Sequence, residues 1–552
     1  MAGGNAKGGP GGAGLGRWLI IAALLALLAL PFALRPPRGR GAAAQDTVVI
    51  ISPHNEAIRY EFGRAFPVWY RARTGRTVTI DWRVVGGTSD ISRLLETAYV
   101  NAFRNAWTGP QGKNWSAEVQ ATFQSARLPA DASAEARAAR TAFLASDVSC
   151  GIDLFFGGDA YQFDKEARAG RLVDGGMRAR QPGWFGEEVI PRVHGGAPFW
   201  DADGRWYGVV LSSYGIIFNR DSWRRLGLER EPTQWPDLAD ARLVGEIGLA
   251  DPTKSGSVCE AFEAILQQQM QQRLTTLARE APELSAEGRE RRAVREGWTA
   301  GLRLIQRLGA NARYFTDSSQ KPPLDVANGD CAAGLCIDFY GRQQQEATRR
   351  RGDQERVGYV TPVAGSAATT DPIGLLRGAP HREVAMRFME FVLSPEGQKV
   401  WSFRVGTPGG PERYALRRMP VRRDFYAHED WKPWRSDPED APYGTSQVFV
   451  YRPVWTGALF REIGFITRVL CQDTHAELVA AWRAIQQAPE PARARALSVL
   501  QDVAAVDYER AETEIRRRLN ARDRVEEVRL ASELGAHFRA QYAEARRVAE
   551  GR

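Results

Sequence analysis

Three short segments place small polar side chains between a strand-like run and a helix-like run. They are Ser52-Pro53-His54-Asn55, Gly86-Gly87-Thr88-Ser89 and Lys254-Ser255-Gly256-Ser257. A helix N-terminus presents free N–H groups and the positive end of the macrodipole, so such turns favour an anion. His54, Thr88, Ser89, Ser255 and Ser257 add side-chain donors there. Ser212 and Ser213, between two apolar runs, offer two more hydroxyls. This is chemistry for holding a small charged molecule. Catalysis is poorly represented, with no GxSxG, HExxH, P-loop or kinase motif set. Glu187 and Glu188 are adjacent and point different ways, whereas a glycosidase needs two carboxylates facing each other across a cleft. We therefore read the chain as a non-enzyme.

The 552 residues suggest three or four domains or lobes, and 43% hydrophobic with 25% charged residues suits folded cores. The net charge of +8 invites a nucleic-acid reading, but Lys7, Arg17, Arg35, Arg38 and Arg40 carry five of those charges. Residues 45–552 keep only +3, too little for a basic footprint. No nucleic-acid partner is expected. Over 480–552, 14 arginines meet 12 acids, a solvated helical face with local ion pairs.

Residues 18–34 read WLIIAALLALLALPFAL, after Lys7 and Arg17 and before Ala42-Ala43-Ala44. This is a secretory signal peptide or, given the basic Arg35–Arg40 flank and a run near the minimum spanning length, an uncleaved anchor. Either reading puts the rest outside the cytoplasmic membrane. Export permits disulfides. The five cysteines (150, 259, 331, 336 and 471) lack CxxC spacing. Cys331 and Cys336 can bridge, or Cys336 can be a small core residue.

Further elements follow from periodicity. TVVIIS (47–52) is a β-branched strand, and Ile58, Phe62, Phe66 and Trp69 share a helical face. RTVTIDWRVV is the next strand, GGTSD its turn, and ISRLLETAYV a helix, so βαβ units and a parallel sheet are expected. IDLFFGG, the two runs of GRWYGVVLSSYGIIFNRD, IGLADP, CAAGLCIDF, RVGYVTPV and DPIGLL supply further strands. Residues 101–147 form a partly helical insertion and 267–300 a polar surface helix. Residues 411–445 are irregular, and 453–552 are helical.

These stretches, in this order, resemble the bacterial extracellular solute-binding proteins of ABC importers, in the group that includes ferric-iron-binding proteins. The resemblance rests on VVIISPHNEAIRYEFGRAF, DLFFGGDAYQFDKEARAGRLV, YGVVLSSYGIIFNRD, GLADPTKSGSVCEAF and, most specifically, DPIGLLRGAPHREVAMRFMEFVLSPEGQKVW. It covers most of 47–405. It implies an α/β, two-lobed periplasmic-binding-protein fold of type II with doubly wound sheets. The segments would be a signal or anchor (1–44), lobe I (45–211, carrying the insertion), lobe II (212–362), a return to lobe I (363–410), irregular and closing helices (411–482) and a C-terminal helical extension (483–552). Crossovers would fall near 209–213 and 361–365. The function implied is capture of a solute in the periplasm by a monomer that closes its lobes and delivers the solute to an ABC permease. A membrane-tethered sensory receptor is the alternative.

The family's iron sites use a histidine, a carboxylate and two adjacent tyrosines. By resemblance His54 and Tyr340 match two of these, Phe339 replaces the first tyrosine, and Gly158 stands where the carboxylate belongs, one residue before Asp159. Asp159, Asp338 or Asp371 can complete a different oxygen-rich site. The cargo is then Fe(III), with no resident cofactor, or an anionic or phosphorylated compound bound by His54, Asn55, Thr88, Ser89, Ser212, Ser213, Ser255, Gly256 and Ser257, or another solute such as a polyamine- or thiamine-like cation held by aromatics and acids. The same residues have plainer uses. His54 and Ser255–Ser257 can cap helices, Tyr340 can be a half-buried strand-end residue, and Asp371 before Pro372 can be a turn residue.

Overall fold

A computed structural model describes residues 3–4, 24–25, 44–110, 112–352, 355–444, 449–521 and 524–552. The apolar run at 18–34 lies outside the described residues except for Leu24 and Leu25. No helix among the described residues is long and apolar enough to cross a membrane. Residues Asp46–Arg552 form one compact unit.

The chain begins with β1 (Asp46–Ile51), α1 (Glu56–Thr74), β2 (Val78–Arg83) and α2 (Thr88–Thr108). After the insertion come β3 (Leu154–Phe156), α3 (Ala160–Ala169), β4 (Leu172–Val173), the hairpin β5 (Val193–His194) and β6 (Ala197–Pro198), and β7 (Tyr207–Ser212). A second set follows: β8 (Tyr214–Asn219), β9 (Ile247–Ala250), the helices α4 (Gly256–Glu280) and α5 (Ala286–Asn311), β10 (Ala312–Thr316), β11 (Ala333–Ile337), α6 (Asp338–Arg350) and β12 (Val357–Val360). The chain then continues through β13 (Thr369–Leu376), α7 (Arg382–Leu393), α8 (Pro395–Ser402) and β14 (Met419–Pro420). It ends in helices that include α9 (His475–Gln487), α10 (Ala492–Leu500) and α11 (Arg524–Ala549).

Two sheets organise these elements. Sheet I runs β14-β7-β13-β3-β1-β2, with β4 beside β13, and sheet II runs β10-β9-β11-β8-β12. In sheet I, β1 pairs parallel with β2 and β3, while β13 runs antiparallel to β3, β4 and β7. In sheet II, β9 is parallel to β10 and β11, while β8 is antiparallel to β11 and β12. The purely parallel expectation is thus corrected to mixed sheets. The antiparallel members are the strands next to the two crossovers. β7 gives way to β8 across Ser213 alone, and β12 returns to β13 through 361–368. The α/β two-lobed arrangement implied by the resemblance is the one observed, with one lobe built on each sheet.

The burial pattern follows the sequence. β7 and β8 are buried at every residue, which explains their continuous apolar runs. Ile58, Phe62, Phe66 and Trp69 of α1 face an aromatic core with Phe156, Phe388, Phe391 and Trp401. The insertion packs its Phe103, Trp107, Phe123 and Phe143 into one cluster with Ile91, Leu95 and Phe155 of sheet I and its helix. α5 differs from the surface helix expected at 267–300. Its Val294, Trp298, Leu302 and Ile305 are buried against α4 and the C-terminal helices. Trp298 Nε1–H donates to Val506 O at 2.9 Å, Gln306 donates to Tyr542 Oη at 3.0 Å, and Trp482 Nε1–H donates to Asn311 Oδ1 at 3.0 Å. The C-terminal extension is therefore packed onto the helical hairpin of the sheet II lobe. All five cysteines are free thiols, so Cys331 and Cys336 do not bridge.

Candidate functional site

The loops at one edge of sheet I converge on Gly157-Gly158-Asp159, directly after β3. Both glycines have left-handed φ, +95° and +134°. A Cβ on Gly157 would lie 2.5 Å from the His54 ring, and one on Gly158 would lie 2.4 Å from Thr88 Cγ2. Only glycine permits this conformation and this approach. Asp159 continues the chain of contacts into the other lobe, since a Cβ on Gly256 would lie 2.0 Å from Asp159 Oδ2. The structure thus brings the turns at 52–55, 86–89 and 254–257 together around one loop.

Asp371, at this site, accepts three hydrogen bonds. It faces Val210 in β7, and the ladder shifts register between Asp371 and Pro372, which has no N–H to give. Its Oδ1 accepts Gly158 N–H at 2.5 Å, and its Oδ2 accepts Arg418 Nη1–H at 2.6 Å and His54 Nε2–H at 3.1 Å. Arg418 also donates to Ser212 Oγ. Burial opposes ionisation of Asp371, but the charge of Arg418 and then of His54 outweighs it and holds this carboxyl well below its ordinary value. An ionised carboxylate only accepts, so His54 Nε2 carries the proton. His54 Nδ1 and Arg418 Nε are left buried without a hydrogen-bond partner among the described residues.

Arg418 is 1% exposed and lies between the two lobes. Its guanidinium carbon is 4.3 Å from the ring centroid of Phe339, at the start of α6, and 5.4 Å from that of Trp401. The sequence reasoning missed it. Its only local signal is an arginine pair ahead of the short strand β14, in a chain where 67 of the 74 basic residues are arginine.

The remaining sequence-chosen residues divide into two groups. Asn55 caps α1, its side-chain oxygen accepting Ile58 N–H at 3.1 Å. Asp159 caps α3 through Gln162 N–H at 2.9 Å, and its other oxygen accepts Thr88 Oγ1–H at 3.4 Å. Ser255 stands at the N-cap of α4, but its hydroxyl makes no capping bond. Ser89 and Ser257 are half-buried. On the sheet II side, Ser213 reaches Asp338 at 3.5 Å and Thr361 at 3.3 Å, while Asp338 accepts Phe339 N–H at 2.8 Å. The Tyr340 ring packs on Phe339 with centroids 4.1 Å apart, and burial raises its phenol. No group of three or more His, Cys, Asp or Glu among the described residues could hold a metal ion.

A further set of acids was not foreseen. Glu260 on α4 accepts Tyr214 O–H and, at 3.2 Å, Thr369 Oγ1–H, both next to the crossovers. Glu263 accepts Thr456 Oγ1–H at 2.6 Å and Tyr451 O–H at 3.0 Å. Burial pushes Glu263 up to about 7 and Asp338 up to about 6. Burial also raises Asp159, and burial and the neighbouring Asp159 raise Glu260. Each acid holds its proton more tightly folded than unfolded. Its contribution to stability is complete below the ordinary carboxyl values of 3.8 and 4.5 and is lost as pH rises through about 6 to 7. The thermal midpoint should therefore rise as pH falls from 8 to 5, and Glu263→Gln should flatten the profile. An unchanged slope in that variant would remove Glu263 from the account.

Residues 148–422 match the model of the bacterial extracellular solute-binding protein family. This segment is a solute-binding domain of that family. An uncharacterized protein of Haemophilus influenzae is 23% identical over 249 residues, 45% of this chain and 60% of that protein. The phosphoglycerate transport regulatory protein PgtC of Salmonella typhimurium is 22% identical over 192 residues, 35% of this chain and 39% of that protein. The chain thus spans about 60% and 39% of the lengths of these curated relatives. Solved structures of similar course include the periplasmic binding protein AfuA of Actinobacillus pleuropneumoniae with fructose-6-phosphate, at 16% identity and TM-score 0.48, covering 80% of this chain and 98% of that one. Iron-bound HitA of Pseudomonas aeruginosa is 15% identical at TM-score 0.43, covering 76% and 99%.

Proposed function

We propose that this solute-binding protein captures a small anionic, phosphorylated solute outside the cytoplasmic membrane and hands it to an ABC permease by lobe closure, without chemistry on the solute. The observation that carries this reading is the buried Arg418 between the lobes, which shares Asp371 with His54 and whose Nε, like His54 Nδ1, has no hydrogen-bond partner among the described residues. A guanidinium there favours an oxyanion and repels a trivalent cation. His54 Nδ1 adds a second buried polar atom for the same solute. Thr88, Ser89, Ser255, Ser257 and the N-termini of α2 and α4 supply the other donors. The similarity to the Salmonella phosphoglycerate transport regulatory protein supports a phosphorylated cargo. Iron fits less well, because the family's carboxylate and first tyrosine are here Gly158 and Phe339.

A ligand that binds only the folded state stabilises it by mass action, about 2.7 kcal/mol at a hundredfold excess over Kd. Phosphoglycerate or a sugar phosphate should raise the melting temperature by several degrees, and ferric citrate should leave it unchanged. A shift with ferric citrate alone would reject the anion.

A further inference from the structure

The stretch 411–445 reads as irregular in the sequence, and residues 412–440 within it have a definite course. They run as a strap whose backbone is bonded to the sheet I lobe at both ends, Ser436 N–H donating to Ser402 O at 2.7 Å, and whose side chains reach across to α6 of the other lobe. At the first end Glu61 of α1 accepts the backbone N–H groups of Glu412, Arg413 and Tyr414 at 2.7–2.8 Å. β14 then joins the edge of sheet I, with Met419 opposite Leu211 and Pro420 opposite Val210. At the other end Asp440 and Asp437 pair with Arg342, which belongs to α6 in the sheet II lobe. Arg417 Nη1–H donates to Arg342 O at 2.8 Å while the same guanidinium pairs with Asp437. Arg417 and Arg418 are neighbours in sequence that serve opposite lobes. Arg417 reaches α6, whereas Arg418 reaches Asp371 and Ser212 on sheet I. The backbone achieves this by holding Arg417 at φ +54°, one of two non-glycine residues with positive φ among the described residues. Such a conformation persists only where the surroundings impose it.

We infer that this strap is the latch of the cleft. The pairs of Arg342 with Asp437 and Asp440, together with the Arg417 bond to Arg342 O, tie the sheet II lobe to the strap, and Arg417, held by Asp437, is a positioning residue that sets Arg418 between Asp371 and Phe339. Opening the lobes requires the strap to leave α6, so exchange of solute is governed by these pairs as well as by the contacts to the solute. The inference rests on the cleft of the proposed function, but its test needs no ligand.

The test uses the full chain as wild type, R342A, the double variant D437N/D440N, and R417G, which removes the side chain while suiting the left-handed backbone. Small-angle scattering and hydrogen exchange are measured without added solute. The expected result is a larger radius of gyration in R342A and D437N/D440N, with exchange at least tenfold faster in both the strap and the first turn of α6. R417G should show the same faster exchange at Phe339 and Tyr340 with normal far-UV circular dichroism. Scattering identical to wild type, with faster exchange confined to 412–440, would overturn the latch. A failure to bind any phosphorylated solute would contradict the proposed function and leave this result standing.

Discussion

Arg418→Ala should lose the response to phosphorylated solutes and unfold with about 3–5 kcal/mol less stability than wild type. The reasoning starts from Asp371. Three donors hold its charge in a buried place: Gly158 N–H, His54 Nε2–H and Arg418. Removing the guanidinium leaves a carboxylate that must either stay ionised without its strongest partner or take up a proton. The variant's stability should therefore respond to pH in a range where the wild-type Asp371 does not titrate, because the loss of Arg418 lets that carboxyl rise. Arg418→Lys tests geometry separately from charge. An ammonium is a point donor and cannot serve Asp371, Ser212 and a solute oxygen in one plane. It should recover much of the stability and little of the binding. Chemical denaturation and thermal shift measured on both variants decide the matter. Full binding by Arg418→Ala would remove Arg418 from the solute site.

Trp298→Ala should cost about 3–5 kcal/mol, the usual range for deleting a fully buried indole. Trp298 is fully buried, donates to Val506 O, and meets the Tyr508 ring edge-on at 5.5 Å. It pins the C-terminal extension to α5. Its loss should loosen α10 and α11 before the sheets. Urea unfolding should split into two transitions, and limited proteolysis should cut first between 500 and 524. A single transition with a wild-type cleavage pattern would show that the extension is held elsewhere.

Much of the scaffold was legible because burial imposes pattern. TVVIIS, YGVVLS and YGIIFN read as strands since their residues are β-branched or aromatic and lack a polar face, as strands buried on both faces require. The turn residues His54, Thr88 and Ser255 were found because strand–turn–helix order marks where N–H groups are free. What escaped has physical causes. β14 has two residues, too few for any period to register, so its neighbour Arg418 had no element to place it. The stretch 267–300 reads as a surface helix because its polar residues dominate the average. Yet Val294, Trp298, Leu302 and Ile305 recur at helical spacing, and that stripe is the face that packs. Asp371 looked like a turn residue before proline. Its role depends on Gly158, 213 positions away, and on Arg418, 47 away. No local window contains such a site. Glu260 and Glu263 carry no local signal, because only the fold brings Tyr214, Thr369, Tyr451 and Thr456 to them.

The central claim is that the cleft around Arg418, His54 and Asp371 holds a phosphorylated solute. Native mass spectrometry of the full chain, purified without refolding from the cells that make it, tests this most directly when paired with elemental analysis. The account predicts an added mass of a small phosphorylated compound, released by Arg418→Ala, with phosphorus and no stoichiometric iron. One Fe per chain, with the visible colour of a tyrosinate complex that Tyr340→Phe abolishes, would contradict it.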